Sequence, residues 1–119
     1  MRTSFRVEMP SFNMEDENIV MVRGDTLSFG MEFDGLVQDL DSAYFTCKSN
    51  KSDADNVFQK SIDNGITKID SGQYVVRVAP SDTKDIEAGK YYYDLEIGVG
   101  DDIFTIMHGV LEIIQDVTH

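Results

Sequence analysis

Apolar and polar side chains alternate along most of this chain, with a period of two residues. Every second residue is apolar in segments 26–33, 43–48, 73–79 and 90–99. A β-strand turns successive side chains to opposite faces, so this period predicts strands that each have one apolar and one wet face. The pattern is typical of antiparallel sheets that pack on one side only.

Weaker patterns predict four further strands, in segments 5–8, 19–23, 57–62 and 103–114. The apolar phase changes within the last of these, and a bulge near His108-Gly109 would restore it. Lys60 stands in the apolar phase of its segment, and a charge in that position is one way to guard an edge strand against unwanted pairing.

Turn-forming pairs separate the predicted strands at Asp34-Gly35, Asn64-Gly65, Ser71-Gly72 and Gly100-Asp101. Such pairs favour tight reversals of the backbone. Residues 80–89 are compatible with a helical turn, which Ser81 or Asp82 can cap and Gly89 can end. The sequence therefore predicts an all-β fold, an immunoglobulin-like antiparallel β-sandwich of about seven to nine strands with one short helical turn.

A length of 119 residues fits one domain. We assign residues 20–119 to the sandwich and residues 1–19, which have the least regular pattern, to an N-terminal arm or an extra strand. The predicted core consists of Leu27, Phe29, Met31, Phe45, Cys47, Tyr74, Val76, Val78, Tyr91, Tyr93, Leu95, Ile97, Leu111 and Ile113.

The chain is strongly acidic, with a formal net charge of −12. This charge repels nucleic-acid backbones and anionic membrane surfaces, and it favours a basic partner. No apolar run approaches the roughly 20 residues of a membrane span, and the first six residues show no secretory signal. We therefore expect neither nucleic-acid binding nor membrane insertion.

Cys47 is the only cysteine, so no internal disulfide can form. This is expected of a domain that folds in a reducing cytoplasm. The residue lies in the apolar phase of segment 43–48, and we predict a buried, unreactive thiol.

No catalytic motif is visible in the sequence. Neither His108 nor His119 accompanies a nucleophile motif, and there is no phosphate loop or paired-cysteine zinc motif. Acidic pairs such as Asp101-Asp102 could ligate calcium, although the EF-hand spacing is absent and solvated loop acids are the simpler interpretation. The sequence predicts a protein that is not an enzyme, with no catalytic residues, no cofactor and no metal site.

Arg23-Gly24-Asp25 spells a tripeptide that some integrins recognise. Here it separates two predicted strands, where a glycine turn and an aspartate are structurally useful. We predict that the triplet serves the fold and that, if Gly24 has a positive φ angle, its replacement by alanine costs stability.

Two features predict a protein interface. Exposed aromatic residues mark interfaces more often than chance, and strand alternation leaves Tyr44 and Tyr92 on the wet faces of their strands. Segment 18–23 has aliphatic residues and no charge before Arg23, so it can pair within the sandwich or add a strand to a neighbour. The candidate interface residues are Ile19, Val20, Met21, Val22, Tyr44 and Tyr92.

Three segments resemble the immunoglobulin-like N-terminal domain of phage baseplate upper proteins and related phage tail proteins. The first is the start Val22-Arg23-Gly24-Asp25-Thr26, and the second is the strand Asp41-Ser42-Ala43-Tyr44-Phe45-Thr46-Cys47-Lys48. The third is the helical turn Val78-Ala79-Pro80-Ser81-Asp82-Thr83 with the strand Ala88-Gly89-Lys90-Tyr91-Tyr92-Tyr93-Asp94-Leu95 that follows it. The resemblance covers about residues 20–118, and residues 1–19 extend beyond the family's short start.

The resemblance implies a non-catalytic structural protein of a phage or prophage tail or baseplate. Its partners would be other phage structural proteins, including further copies of itself, in a symmetric assembly. Its location would be the virion, after synthesis in the bacterial host cytoplasm. The alternative function is a ligand- or carbohydrate-binding module of a bacterial surface protein, which should carry a secretion signal.

Overall fold

The computed structural model describes residues 4–9 and 14–117, and these residues form ten strands and one helical turn. The elements are β1 (Ser4–Glu8), β2 (Glu15–Asp16), β3 (Ile19–Val22), β4 (Leu27–Asp34), β5 (Ser42–Lys48), β6 (Phe58–Ile62), β7 (Gly65–Asp70), β8 (Gln73–Val78), α1 (Pro80–Thr83), β9 (Gly89–Val99) and β10 (Asp102–Ile114).

The strands are arranged as an immunoglobulin-like β-sandwich. Their order is β1-β4-β8-β7-β6-β5-β9-β10, and β2 and β3 both pair with the far side of β10. β4 and β5 are distant in this order, yet the rings of Phe29 and Phe45 lie 5.8 Å apart, which places the two strands in facing layers. A short pairing of β6 with β7 connects the layers along one side.

The strand count and the strand directions differ from the sequence prediction. The additional strands are β2, which has only two residues, and β7, in which Ile66 is the only fully buried side chain. Neither strand has the alternation that reveals a strand in a sequence. The sandwich is also not purely antiparallel, because β1 runs parallel to β4 while β2 and β3 run parallel to β10.

The core lies between the layers and is rich in aromatic side chains. Phe45 is at its centre, with the ring of Tyr93 5.3 Å away and that of Phe58 6.2 Å away. The predicted core is confirmed except for Leu27 and Tyr91, which are half-buried and pack against it.

The N-terminal segment contributes to this core. β1 pairs with β4 in register from Ser4 opposite Gly30 to Glu8 opposite Asp34. The side chains of Phe5 and Val7 are 5% and 4% exposed. Within the described part of segment 1–19, β1 is therefore an extra strand of the sandwich.

The bulge in β10 lies between Thr105 and Met107 and not at Gly109. It turns both Ile106 and Met107 into the core. Gly109 has another role, because a Cβ atom there would collide with the backbone carbonyl of Glu17. The glycine lets the chain segment between β2 and β3 approach β10 closely.

Lys60 does not guard an edge, since β6 lies between β5 and β7. Its ammonium group binds the Asp82 carboxylate at 2.8 Å, and both side chains are largely buried. Asp82 also accepts a hydrogen bond from the backbone N–H of Ala79 at 2.7 Å. Neither Ser81 nor Asp82 is the N-cap residue of α1, because the helix begins at Pro80 after Ala79, and Asp82 supports the first turn from inside the helix. Gly89 does not end that helix, because it is the first residue of β9.

Candidate functional site

The free side of β2 and β3 is an open sheet edge, since no strand of the described residues lies beyond them. The predicted interface residues of β3 divide between its two faces. Ile19 and Met21 are 0% and 6% exposed, whereas Val20 is 58% exposed. Because β3 alternates like any strand, Ile19 and Met21 point into the core, and only their backbone groups are placed to pair with a partner strand.

The outward side chains at this open edge are mostly aliphatic. Val22 lies opposite Ile114 on β10, and Val20 lies opposite Glu112. Ile114 is 42% exposed. We define the open edge as Val20, Val22 and Ile114, together with the free backbone side of β3.

The solvent side of β5, β9 and β10 forms a broad surface beside the open edge. We define the outer face by seven residues whose side chains alternate with buried ones: Tyr44, Thr46, Lys48, Tyr92, Asp94, Glu96 and His108. The register aligns them in rows across the strands. Lys48 lies opposite Tyr92, Thr46 opposite Asp94, and Tyr44 opposite Glu96. The structure thus brings the two predicted tyrosines to one surface.

Cationic side chains gather at the Tyr92 end of the outer face. The Nζ atom of Lys51 lies 5.3 Å from the centroid of the Tyr92 ring. Lys48 donates a hydrogen bond to the backbone carbonyl of Asp53 at 2.8 Å. These residues, with Asp94 and His108, line an open groove of about 220 Å³.

Carboxylates occupy the middle and the other end of the outer face. Asp94 lies opposite His108 on β10, and His108 lies opposite Asp16 on β2. Partial desolvation raises the pKa of Asp94, and the positive charges of Lys48 and His108 oppose that rise. Burial thus disfavours the charged form of this carboxylate, and the nearby cations favour it.

The Arg23-Gly24-Asp25 triplet has a structural role. Arg23 Nε lies 2.8 Å from Oδ1 of the buried Asp116, and the Gly24 N–H donates to Thr83 Oγ1 at 2.8 Å. The φ angle of Gly24 is 84°, a left-handed backbone conformation that favours glycine. The triplet connects the β3–β4 turn to α1 and to the segment after β10.

The acidic loop residues that were considered for metal binding do not form a metal site among the described residues. Within residues 4–9 and 14–117, no cluster of three His, Cys, Asp or Glu side chains could hold a metal ion. The loop acids have structural partners instead. Asp39 binds Lys68 at 2.9 Å, and Asp41 accepts the Gly100 N–H at 2.5 Å. His119 lies outside the described residues.

No helix in the described ranges has both the length and the apolarity that crossing a bilayer requires.

The sequence interpretation missed the grouping of Lys48, Lys51, Asp94 and His108. Alternation alone places Lys48 and Asp94 on the wet faces of their strands. Their proximity depends on β5 lying beside β9, although 40 residues, 49–88, separate the two strands in sequence. No local pattern encodes that neighbourhood.

Comparisons with known proteins concern the fold alone. No family model matches the chain, and no curated protein matches it. One similar solved structure is an extracellular domain of the voltage-gated sodium channel beta4 subunit, studied as parallel homodimers that explain its role in cell–cell adhesion. It is 12% identical, the match covers 92% of this chain and 99% of that one, and the TM-score is 0.46.

Proposed function

We propose that this domain is a non-catalytic structural protein of a phage or prophage tail or baseplate. It works by protein–protein association in a symmetric assembly, with other phage structural proteins and with copies of itself. The observation that carries the association is the open edge, where exposed aliphatic side chains accompany unpaired backbone groups next to the outer face.

An edge strand with these properties is suited to pairing. Monomeric proteins usually protect their edges with charges, prolines or bulges. β3 has none of these among Ile19–Val22. Val20 and Ile114 add exposed aliphatic surface beside the free backbone groups. A partner strand can therefore gain main-chain hydrogen bonds and apolar contact together.

The phage context is supported by the three resembling segments. Two of them, at Arg23–Thr26 and Val78–Thr83, meet in the structure through the Gly24–Thr83 hydrogen bond. The resemblance therefore includes residues that fix one end of the sandwich.

The net charge of −12 makes association dependent on salt. Identical neighbours repel one another at low ionic strength, and salt screens that repulsion with a Debye length of about 8 Å at 0.15 M. Light scattering across an ionic-strength series should show a larger mass at high salt, or on addition of a basic partner subunit. A strict monomer at high concentration in every condition, partner included, would remove the support for the proposal.

A second candidate function is the ligand- or carbohydrate-binding module. The groove between Lys51, Tyr92 and His108 favours it, because an aromatic ring next to polar groups can hold a sugar. Nuclear magnetic resonance titration with oligosaccharides would distinguish the two functions. Saturable shifts confined to these residues would favour the module.

A further inference from the structure

We propose that the outer face binds a second copy of this chain face to face, with the strands of the two copies antiparallel. The inference rests on the proposed function and specifies one partner and one geometry for it. The partner is a second copy because the charges of the outer face are complementary to those of an identical face in one orientation.

Charge is segregated along the strands of the outer face. Lys48 and Lys51 flank Tyr92 at one end. Asp94 lies one row further, and Glu96 with Tyr44 forms the row after that. The face is therefore positive at one end and negative at the other, in a molecule whose overall charge is strongly negative.

A two-fold axis has two possible directions in such a contact. An axis along the strands would set each row over itself, which places Lys51 against Lys51 and Glu96 against Glu96. An axis across the strands, through the Thr46–Asp94 row, sets the lysine row of each copy over the Glu96 row of the other. Only the second arrangement pairs Lys51 with Glu96, and it does so twice because the contact is isologous, while the two Asp94 side chains meet on the axis.

The charged side chains at the two ends of the outer face form no salt bridges among residues 4–9 and 14–117. The cationic residues with salt bridges in the described ranges are Arg6, Arg23, Lys60 and Lys68. Lys48 and Lys51 form none there, and the side chains of Asp94 and Glu96 have no hydrogen bond or ion pair in the same ranges. A second copy supplies a carboxylate for Lys51 and an ammonium group for Glu96.

The aromatic residues fit the same arrangement. Tyr92 lies in the lysine row, and Tyr44, which is 38% exposed, lies in the Glu96 row. The antiparallel contact sets Tyr92 of one copy over Glu96 of the other, and Tyr44 over Lys48. Tyrosines are common anchors at the centres of interfaces.

Salt acts differently on the repulsion between the net charges of two copies and on the attraction between opposite charges within the contact. The net charge of each copy opposes approach at low salt, and that effect is screened. Opposite charges that meet within a contact are separated by less than a Debye length and are screened much less. Moderate salt therefore favours this dimer.

The decisive experiment mixes two charge-reversed variants, Lys51→Glu and Glu96→Lys. In a homodimer of either variant, both contacts bring like charges together. In the mixed dimer, both contacts bring opposite charges together. We expect sedimentation equilibrium at moderate salt to show a mixed dimer at least about tenfold tighter than either homodimer.

The matched control is Arg77→Glu mixed with Asp85→Lys. These changes alter the net charge by the same amounts at exposed positions away from the outer face. This mixture should show no preference for mixed pairs. Circular dichroism should give the same folded spectrum for all four variants.

The outcomes separate this inference from the proposed function. If the wild type associates but mixing the outer-face variants gives no tighter dimer than the control mixture, the face-to-face geometry is wrong and the proposed function remains. If the wild type stays monomeric at every salt concentration, this inference is also overturned. Binding to a basic partner subunit then decides the proposed function separately.

Discussion

Cys47 lies fully inside the core, on the inward face of β5 with Phe45. Burial raises the pKa of its thiol to about 12, because the surrounding apolar side chains disfavour the charged thiolate. The thiolate is the reactive form of cysteine, so the folded state suppresses reactivity both by access and by ionisation.

We expect the folded protein to resist thiol labelling. With a chromogenic disulfide reagent at pH 8, the native chain should react slowly, at the rate of global or local opening. The same chain in concentrated guanidinium should react at once with one equivalent. Rapid labelling without denaturant would contradict the buried placement of Cys47.

The raised pKa of the Cys47 thiol has a consequence for stability. Above the ordinary value of 9.0, the unfolded chain loses this proton while the folded chain keeps it. The unfolded state then binds fewer protons, so the free energy of unfolding falls as pH rises, by up to about 1.4 kcal/mol per pH unit. Urea titrations between pH 8 and 10.5 should show a steeper decline for the wild type than for Cys47→Ala, and parallel declines would exclude this effect.

Gly24 supports the turn between β3 and β4. Its φ angle of 84° lies where a side chain is strained, so Gly24→Ala should lower the free energy of unfolding by more than about 1 kcal/mol. The neighbouring Asp25→Ala is the control, because Asp25 is exposed and should change stability little. An unchanged melting temperature for Gly24→Ala, together with measurable integrin binding, would instead indicate an adhesion role.

At the scale of elements, β1 is the unusual part of the sandwich. It pairs with β4 in parallel and inserts Phe5 next to Phe29, with ring centroids 6.2 Å apart. An edge strand that fills part of the core completes the fold, so it should contribute to cooperative unfolding.

Phe5→Ala should therefore reduce the free energy of unfolding by about 3–5 kcal/mol, because it removes a buried aromatic ring. Arg6→Ala is the matched control on the same strand. Arg6 is exposed and pairs with Glu32 at 3.3 Å, so its loss should cost less than about 1 kcal/mol. Equal effects in chemical denaturation would show that β1 is not part of the cooperative unit.

Sequence patterns could predict eight of the ten strands of the described residues but not all of their neighbours. Alternation located β4, β5, β8, β9 and β10, because each has one buried face. The role of Lys60 was not accessible, since its partner Asp82 is 22 residues away. Only the two tyrosines of the outer face were predicted, because its other residues also meet through contacts between segments that are distant in sequence. Tyr44 and Tyr92 were recognised singly, and the lysines and carboxylates around them meet only through long-range pairing.

At the scale of the whole molecule, the two candidate surfaces have different symmetry. A face-to-face contact is isologous and closes with two copies. A ring needs a heterologous contact as well, and the open edge is a surface on which one can form. The dimer formed through the outer face would then be the unit that assembles into a ring through the open edge.

Val20→Lys tests the edge in the intact protein. Val20 is 58% exposed, so the change should leave folding intact, and a charge on an edge strand opposes pairing. We expect less association in light scattering at high salt than for the wild type. Ile69→Lys, at a position 61% exposed on β7, is the control and should associate as the wild type does.

The direction of β1 determines how the sandwich responds to mechanical force. Because β1 runs parallel to β4 and β10 runs opposite to both, the start of β1 and the finish of β10 lie at the same end of the molecule. A load applied between them pulls sideways on β1 at Ser4 and breaks its hydrogen bonds one after another. If the two ends lay at opposite poles of the molecule, the load would instead shear all the hydrogen bonds of β1 at once. In a particle that transmits force through this domain, β1 would peel off first, under a small load, and expose β4 as a fresh sheet edge.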